Sequence, residues 1–130
     1  KGLIKKTIVN KELVKSLIEM SNTRESVIKT ANITKSDVSI YVSLAYDSLR
    51  EVLEALCVLN GYKVLSHTCV GSFLKSIIKD FDYDSFDRFR WIRNGINYYG
   101  KRVDFEQGKE VINKIFVMKG GILKDYLKNI

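Results

Sequence analysis

VSIYVSLAYDSLREVLEALCVL, residues 38–59, is the stretch that decides the fold. Val38, Val42, Ala45, Leu49, Val52, Leu56 and Leu59 step by 4, 3, 4, 3, 4 and 3 residues. At 100° per residue that spacing keeps them on one side of an α-helix. The other side carries Asp47, Arg50, Glu51 and Glu54. Arg50 and Glu54 stand at the i,i+4 spacing of a helical ion pair, so these residues read as a solvated face rather than paired catalytic carboxylates. Thr34 or Ser36 caps the helix, and Thr34 with Asp37 three residues on has the form of a capping box. Asn60-Gly61 stops it. The apolar stripe is expected to pack on Phe89, Ile92 and Ile96.

Upstream, a first helix is expected from Asn10 to Ala31, with Asn10 as N-cap and Leu13, Leu17, Met20, Val27 and Ile28 as its stripe. Residues 1–9 read as a frayed arm or an earlier turn. Downstream, a third helix is expected from Ser66 to Asp80 on a stripe of Leu65, Cys69, Phe73 and Ile77, joined by Val70 and Leu74. An acidic stretch, Asp80 to Asp87, leads into a fourth helix and suits the positive end of its dipole. Asp104 caps a fifth, with Gln107 as reciprocal partner and Val111, Ile112, Ile115 and Phe116 facing inward. Gly120-Gly121 is expected to break the chain before a short last helix over Ile122 to Ile130. The chain has no proline, and its connections are short. The expected architecture is an all-α, up-and-down helical bundle of four to five main helices, in a single domain over residues 1–130.

Composition narrows the function classes. Of 130 residues, 45% are hydrophobic and 28% charged, as in a soluble globular protein. No apolar run approaches the roughly 20 residues of a membrane span, and no signal peptide is visible, so no membrane and a cytoplasmic location are expected. Two cysteines, Cys57 and Cys69, and one histidine make neither a disulfide framework nor a zinc site. Both cysteines read as buried apolar residues. No cofactor is expected, since the glycine-rich, metal-protease and nucleophile-elbow motifs are all missing. The net charge of +7 suits a polyanionic partner.

The chemistry concentrates in RFRWIRNGINYYGKR, residues 88–102, which holds four arginines, a lysine, two asparagines, two tyrosines and a tryptophan. As a helix it places Phe86, Phe89, Ile92, Ile96 and Tyr99 on an apolar side. Arg90, Asn94, Asn97, Tyr98 and Lys101 fall on a polar one. Arg93 sits on the seam, where a side chain can bury its stem and present its guanidinium. Gly100 ends the helix. Outside this stretch, His67 follows the Gly61 turn. Its position favours a capping or structural role, although with Tyr62, Lys63 and Ser66 it could edge a polar cleft.

RNGINYYG at residues 93–100, YDSLREVLEALCVLNGYKVLSH at 46–67 and the order of helices together resemble the HEPN superfamily of helical-bundle domains. The resemblance covers residues 35–118. Many members carry an arginine, a polar residue, three more residues and a histidine, and use them for metal-independent RNA cleavage at a cleft formed by two protomers. The resemblance therefore implies a homodimer that takes RNA or a nucleotide. It carries the motif arginine onto Arg93 and the polar residue onto Asn94. Position 98 departs from the pattern, because Tyr98 stands where those members have histidine. Tyrosine, with a pKa near 10, is ionised at about one part in a thousand at neutral pH. It can donate a hydrogen bond or stack on a base, but it is a poor general base.

Three readings follow. The first is RNA or nucleotide binding through Arg93, Asn94 and Tyr98, helped by Arg90, Asn97, Lys101, Arg102 and His67, with little or no catalysis. The second is an active, toxin-like ribonuclease in which His67 or Tyr98 replaces the missing histidine. The third, implied by the resemblance, is a non-enzymatic partner of a minimal nucleotidyltransferase, as in toxin–antitoxin pairs.

Overall fold

A computed structural model describes residues 4–64 and 67–130, except for the side chains at 4, 64, 67–70 and 72. Helices α1 (Lys11–Thr30), α2 (Val38–Leu59), α3 (His67–Ile77), α4 (Tyr83–Tyr99) and α5 (Phe105–Tyr126) make up most of it. The caps follow the sequence closely. Asn10 accepts from the Leu13 N–H at 3.0 Å, Asp82 from the Ser85 N–H at 3.1 Å, and Asp104 from the Gln107 N–H at 3.4 Å. Ahead of α2 only half of the expected box forms. Asp37 accepts from the Thr34 N–H at 2.7 Å, while Asp37 itself becomes the N-cap residue with no side-chain cap bond.

Helix α1, at 20 residues, is about 30 Å long. A parallel α2 packed on α1 would need residues 31–37 to span that length, beyond their reach of roughly 25 Å, so α2, which meets α1 through Ser48 and Glu51, turns back along it. Ser43 pairs with Asn97 and Asp47 with Arg93, so α4 runs antiparallel to α2. The short link from Gly100 to Asp104 sends α5 back again. Thus α1 and α4 run one way and α2 and α5 the other, as an up-and-down all-α bundle.

Helix α2 is the hub. Its stripe from Val38 to Leu56 is buried, but so are Tyr46, Ser48, Leu53, Ala55, Cys57 and Val58. Burial pushes the Cys57 thiol up to about 12, so it is an inert core residue. Three neighbours cover α2. Helix α1 reaches it through Ser21, whose hydroxyl donates to the Ser48 carbonyl at 2.5 Å, and through Arg24, 2.9 Å from Glu51. Helix α5 sits on Val38 and Val42 so closely that a Cβ at Gly108 would lie 2.6 Å from the Val38 side chain. Helix α4 meets Ser43, Tyr46 and Asp47, roughly a third of a turn from the stripe. The stripe is therefore as buried as its spacing predicts, but its opening residues look at α5 rather than at α4. The face read as solvated is partly interior too: Glu51 is buried, because α1 and α4 close over α2 from both sides. The Arg50–Glu54 pair forms as expected, at 2.7 Å.

Other expectations are corrected. Residues 4–6 form a strand, β1 (Ile4–Lys6), paired antiparallel with β2 (Tyr62–Val64) in the register Ile4↔Val64, Lys5↔Lys63, Lys6↔Tyr62. Three-residue strands are too short to show a period of two. In α3 Gly71 and Leu74 are buried and Phe73 and Ile77 half-buried, and Ile78, just past the helix end, is buried too; Leu65 and Ser66 lie outside the described residues, as do the side chains of Cys69 and Val70. Gly120-Gly121 does not break α5, which runs on to Tyr126. A helical glycine is disfavoured by only about 1 kcal/mol, and Ile115, Lys119 and Ile122 are buried on either side of the pair. Tyr99 points outward, 76% exposed. Gly100 takes the left-handed conformation (φ 64°) and ends α4, as glycine there predicts.

Candidate functional site

Arg93 emerges from the middle of α4 with its side chain 18% exposed. Its guanidinium lies over two rings, 5.6 Å from the Tyr46 centroid and 5.7 Å from that of Tyr98. Such a planar cation between aromatic faces is held in place without a closely bonded counter-ion. Its polar contacts are all long. Nη2 is 3.4 Å from Asp47 Oδ1, while Nη1 is 3.4 Å from Asn94 Oδ1 and 3.5 Å from the Tyr98 hydroxyl. Charge-assisted bonds usually close to about 2.7–2.9 Å. Arg93, Asn94 and Tyr98 are thus brought together, as the motif spacing requires.

The second wall comes from α2 and was not assigned as a site from the sequence. Tyr46 is buried, stacked on Phe86 at 6.0 Å between centroids. Loss of solvent is the largest influence on its hydroxyl and pushes the pKa up to about 12, against the opposing pull of Arg93, Arg90 and Arg50. It is therefore a neutral donor at any ordinary pH. Arg50 binds Glu54 at 2.7 Å through Nη1, while its Nε stays 3.8 Å from Asp47. Three buried side-chain atoms have no hydrogen-bond partner among the described residues: the Tyr46 hydroxyl, Arg50 Nε and Arg93 Nε. All three are donors, and all belong to this seam. An isolated buried donor is unfavourable by about 1–3 kcal/mol, so their concentration at one place marks the seam as short of an acceptor.

The remaining predicted residues are placed differently. Arg90 is committed to Asp87, at 2.7 and 3.1 Å. Asn97 accepts from the Ser43 hydroxyl at 2.9 Å and so ties α4 to α2. Lys101 lies past the helix end, with Nζ 5.7 Å from the Trp91 ring, and Arg102 is exposed nearby. His67 opens α3, but its side chain lies outside the described residues. No group of three His, Cys, Asp or Glu is arranged to hold a metal among the described residues. A separate cleft of about 580 Å³ is lined by Ile78, Phe89 and Ile122, with Asp80, Asp82 and Asp125 set beside Lys79 and Lys114. With acids and bases mixed there, it is not a basic site for a polyanion.

What Tyr46, Asp47 and Arg50 share is invisible to a helical wheel. They stand off the apolar stripe and become interior only because α4 lies over them. The one signal in the chain was their place at the start of the 46–67 stretch. No helix among the described residues is long and apolar enough to cross a membrane. Compared with known proteins, the chain matches no family model, no curated protein and no solved structure.

Proposed function

We propose that this chain binds RNA or a nucleotide by its phosphate at the α2–α4 seam, with Arg93 as the central grip, and that it cleaves RNA poorly or not at all. The observation that carries the reading is the state of Arg93. It is a mostly buried guanidinium between two rings, with contacts of 3.4–3.5 Å and one donor without a partner. A cation ordered but so weakly engaged suits a bidentate anion. Asn94 adds a polar contact, and Tyr98, 67% exposed, offers a ring on which a base can stack. Lys101 and Arg102, exposed beyond Gly100, would add phosphate contacts that position a strand without reading it.

The proposal takes the chain as a HEPN-like homodimer. The exposed aromatics of α4, Trp91, Tyr98 and Tyr99, supply apolar surface for a second protomer or for bases. Poor cleavage is expected from position 98, where a phenol stands in place of the imidazole that carries protons readily at neutral pH. The test is fluorescence anisotropy of a labelled single-stranded RNA at low and physiological salt. Affinity should fall steeply as salt rises. A chain that does not bind at low salt would remove the proposal. In a metal-free cleavage assay, Tyr98→His should raise the rate by about 10²-fold or more. Strong cleavage by the natural chain, unaffected by Arg93→Ala, would return the ribonuclease reading to first place.

A further inference from the structure

Resting on the reading that this seam binds phosphate, we infer that it selects a terminal phosphate, as on a nucleotide or a phosphorylated RNA end, over the internal phosphodiesters of a strand. Tyr46 and Arg50 of α2 would be binding residues alongside Arg93, and Asp47 the carboxylate that the phosphate displaces. The three partnerless donors, the Tyr46 hydroxyl, Arg50 Nε and Arg93 Nε, are buried. An acceptor reaches them only by pushing a free oxygen into the seam. An internal phosphodiester carries a sugar on each side, so its two free oxygens stay near the surface. A terminal phosphate has three free oxygens on one bare end.

Charge points the same way. Arg50, Arg90 and Arg93 are set against Glu54, Asp87 and Asp47, so the seam starts close to neutral. An anion gains there only by replacing one of the carboxylates, and a phosphate monoester, at about −1.5 to −2, outcompetes a single-charged group. Asp47 is the loosest of the three. Its Oδ1 lies between two guanidiniums without closing on either, 3.4 Å from Arg93 Nη2 and 3.8 Å from Arg50 Nε. By contrast, Glu54 and Asp87 are each 2.7 Å from their arginines. Asp47 thus marks the position an incoming oxygen would take at Arg93 Nη2, while Tyr98, 3.5 Å from Nη1 of the same guanidinium, offers its ring for the base.

The experiment compares one RNA oligonucleotide carrying either a 5′-phosphate or a 5′-hydroxyl, titrated with the same protein by anisotropy. A 3′-phosphate version and competition by a nucleoside 5′-monophosphate distinguish which source of the group is taken. At least one phosphorylated form should bind about 10-fold more tightly than its hydroxyl counterpart. Tyr46→Phe should bring that ratio towards one, and Asp47→Asn should strengthen binding of the phosphorylated form. Tyr46→Phe removes only a hydroxyl with no partner among the described residues, so it should fold, and its thermal melt would verify this. Equal binding of phosphorylated and hydroxyl ends by the natural protein would overturn the inference while leaving phosphate binding in place. So would an undiminished ratio in Tyr46→Phe. Failure of every oligonucleotide to bind at low salt would instead overturn the reading on which it rests.

Discussion

Lys119 and Arg93 are both cations set between helices of this bundle, and they are held in opposite ways. Lys119 of α5 is fully buried. Its ammonium is 2.7 Å from Glu25 Oε1 and 3.1 Å from the Ser21 carbonyl, both on α1. Ser21 in turn donates to α2, so one lysine ties three helices. Arg93, between α4 and α2, makes no polar contact shorter than the 3.4 Å to Asp47 and Asn94 among the described residues, and its Nε has no partner among them. A tightly partnered buried charge is a structural pin, because its desolvation is offset only by close bonds. A loosely partnered one at a partly open seam retains capacity for a ligand. On the proposed reading, unmet hydrogen bonding rather than burial or charge alone sets the candidate site apart.

The largest effect should come from breaking the pin. Lys119→Ala leaves Glu25 and the Ser21 carbonyl without their buried partner, and should lower unfolding free energy by about 3 kcal/mol in urea titration. The low end of the usual range is expected, because Glu25 also has Lys29 at 2.6 Å and is partly exposed. A loss below about 1 kcal/mol would mean that the α1–α5 seam does not depend on this lysine.

Acid should probe the same pin. Burial raises the Glu25 pKa, but the hydrogen bonds and charges of Lys119 and Lys29 together bring it below its ordinary 4.5. A carboxylate lowered in the folded state stabilises fully above its unfolded pKa, and the gain is lost as pH falls through the folded value. Between about pH 6 and pH 3 the natural protein should therefore lose more stability than Lys119→Ala does. Parallel pH profiles would sever Glu25 from Lys119.

Arg93→Ala should be gentler, lowering stability by about 1 kcal/mol, since it forfeits ring packing and weak contacts rather than closed bonds. A loss equal to that of Lys119→Ala would erase the distinction between pin and site. Smaller still, Gly120→Ala and Gly121→Ala, beside Lys119, should each raise stability by about 0.5–1 kcal/mol. A Cβ at either glycine meets no atom within 4 Å. A loss on substitution would point to something resting on that face. Tyr46→Phe should change stability by about 0.5 kcal/mol or less, in either direction, because it deletes a buried hydroxyl with no partner. A clear destabilisation would mean that the hydroxyl is satisfied within the protein.

Much of this fold was legible in the sequence, because helix periodicity and caps are local. The α2 stripe, Asn10, Asp104 and Gly100 needed nothing beyond a few neighbours in the chain, whereas the α1 stripe was misplaced: Leu13, Met20 and Val27 are exposed and Val14, Ser21 and Ile28 face inward. What the sequence hid was long-range. The β1–β2 pairing joins Lys6 to Tyr62. Gly120-Gly121 read as a break because propensity is local, whereas the buried neighbours that hold α5 together are tertiary. Lys119 did leave a trace: it occupies a buried position between Ile115 and Ile122, where an apolar residue was due. In the site, Arg93, Asn94 and Tyr98 lie within one helix, so their meeting was legible from spacing. Tyr46, Asp47 and Arg50 join them only through the packing of α2 on α4.

Whether Arg93 is held for a ligand is read from the affinity of the natural protein and of Arg93→Ala for single-stranded RNA, by anisotropy at low salt, with the melting temperature of each protein recorded alongside. Arg93→Ala should lose about 10-fold or more in affinity, from removal of a charged anchor, with its melt shifted by only a few degrees, roughly the shift that 1 kcal/mol produces in a domain of this size. Unchanged affinity in a folded Arg93→Ala protein would show that Arg93 holds no ligand.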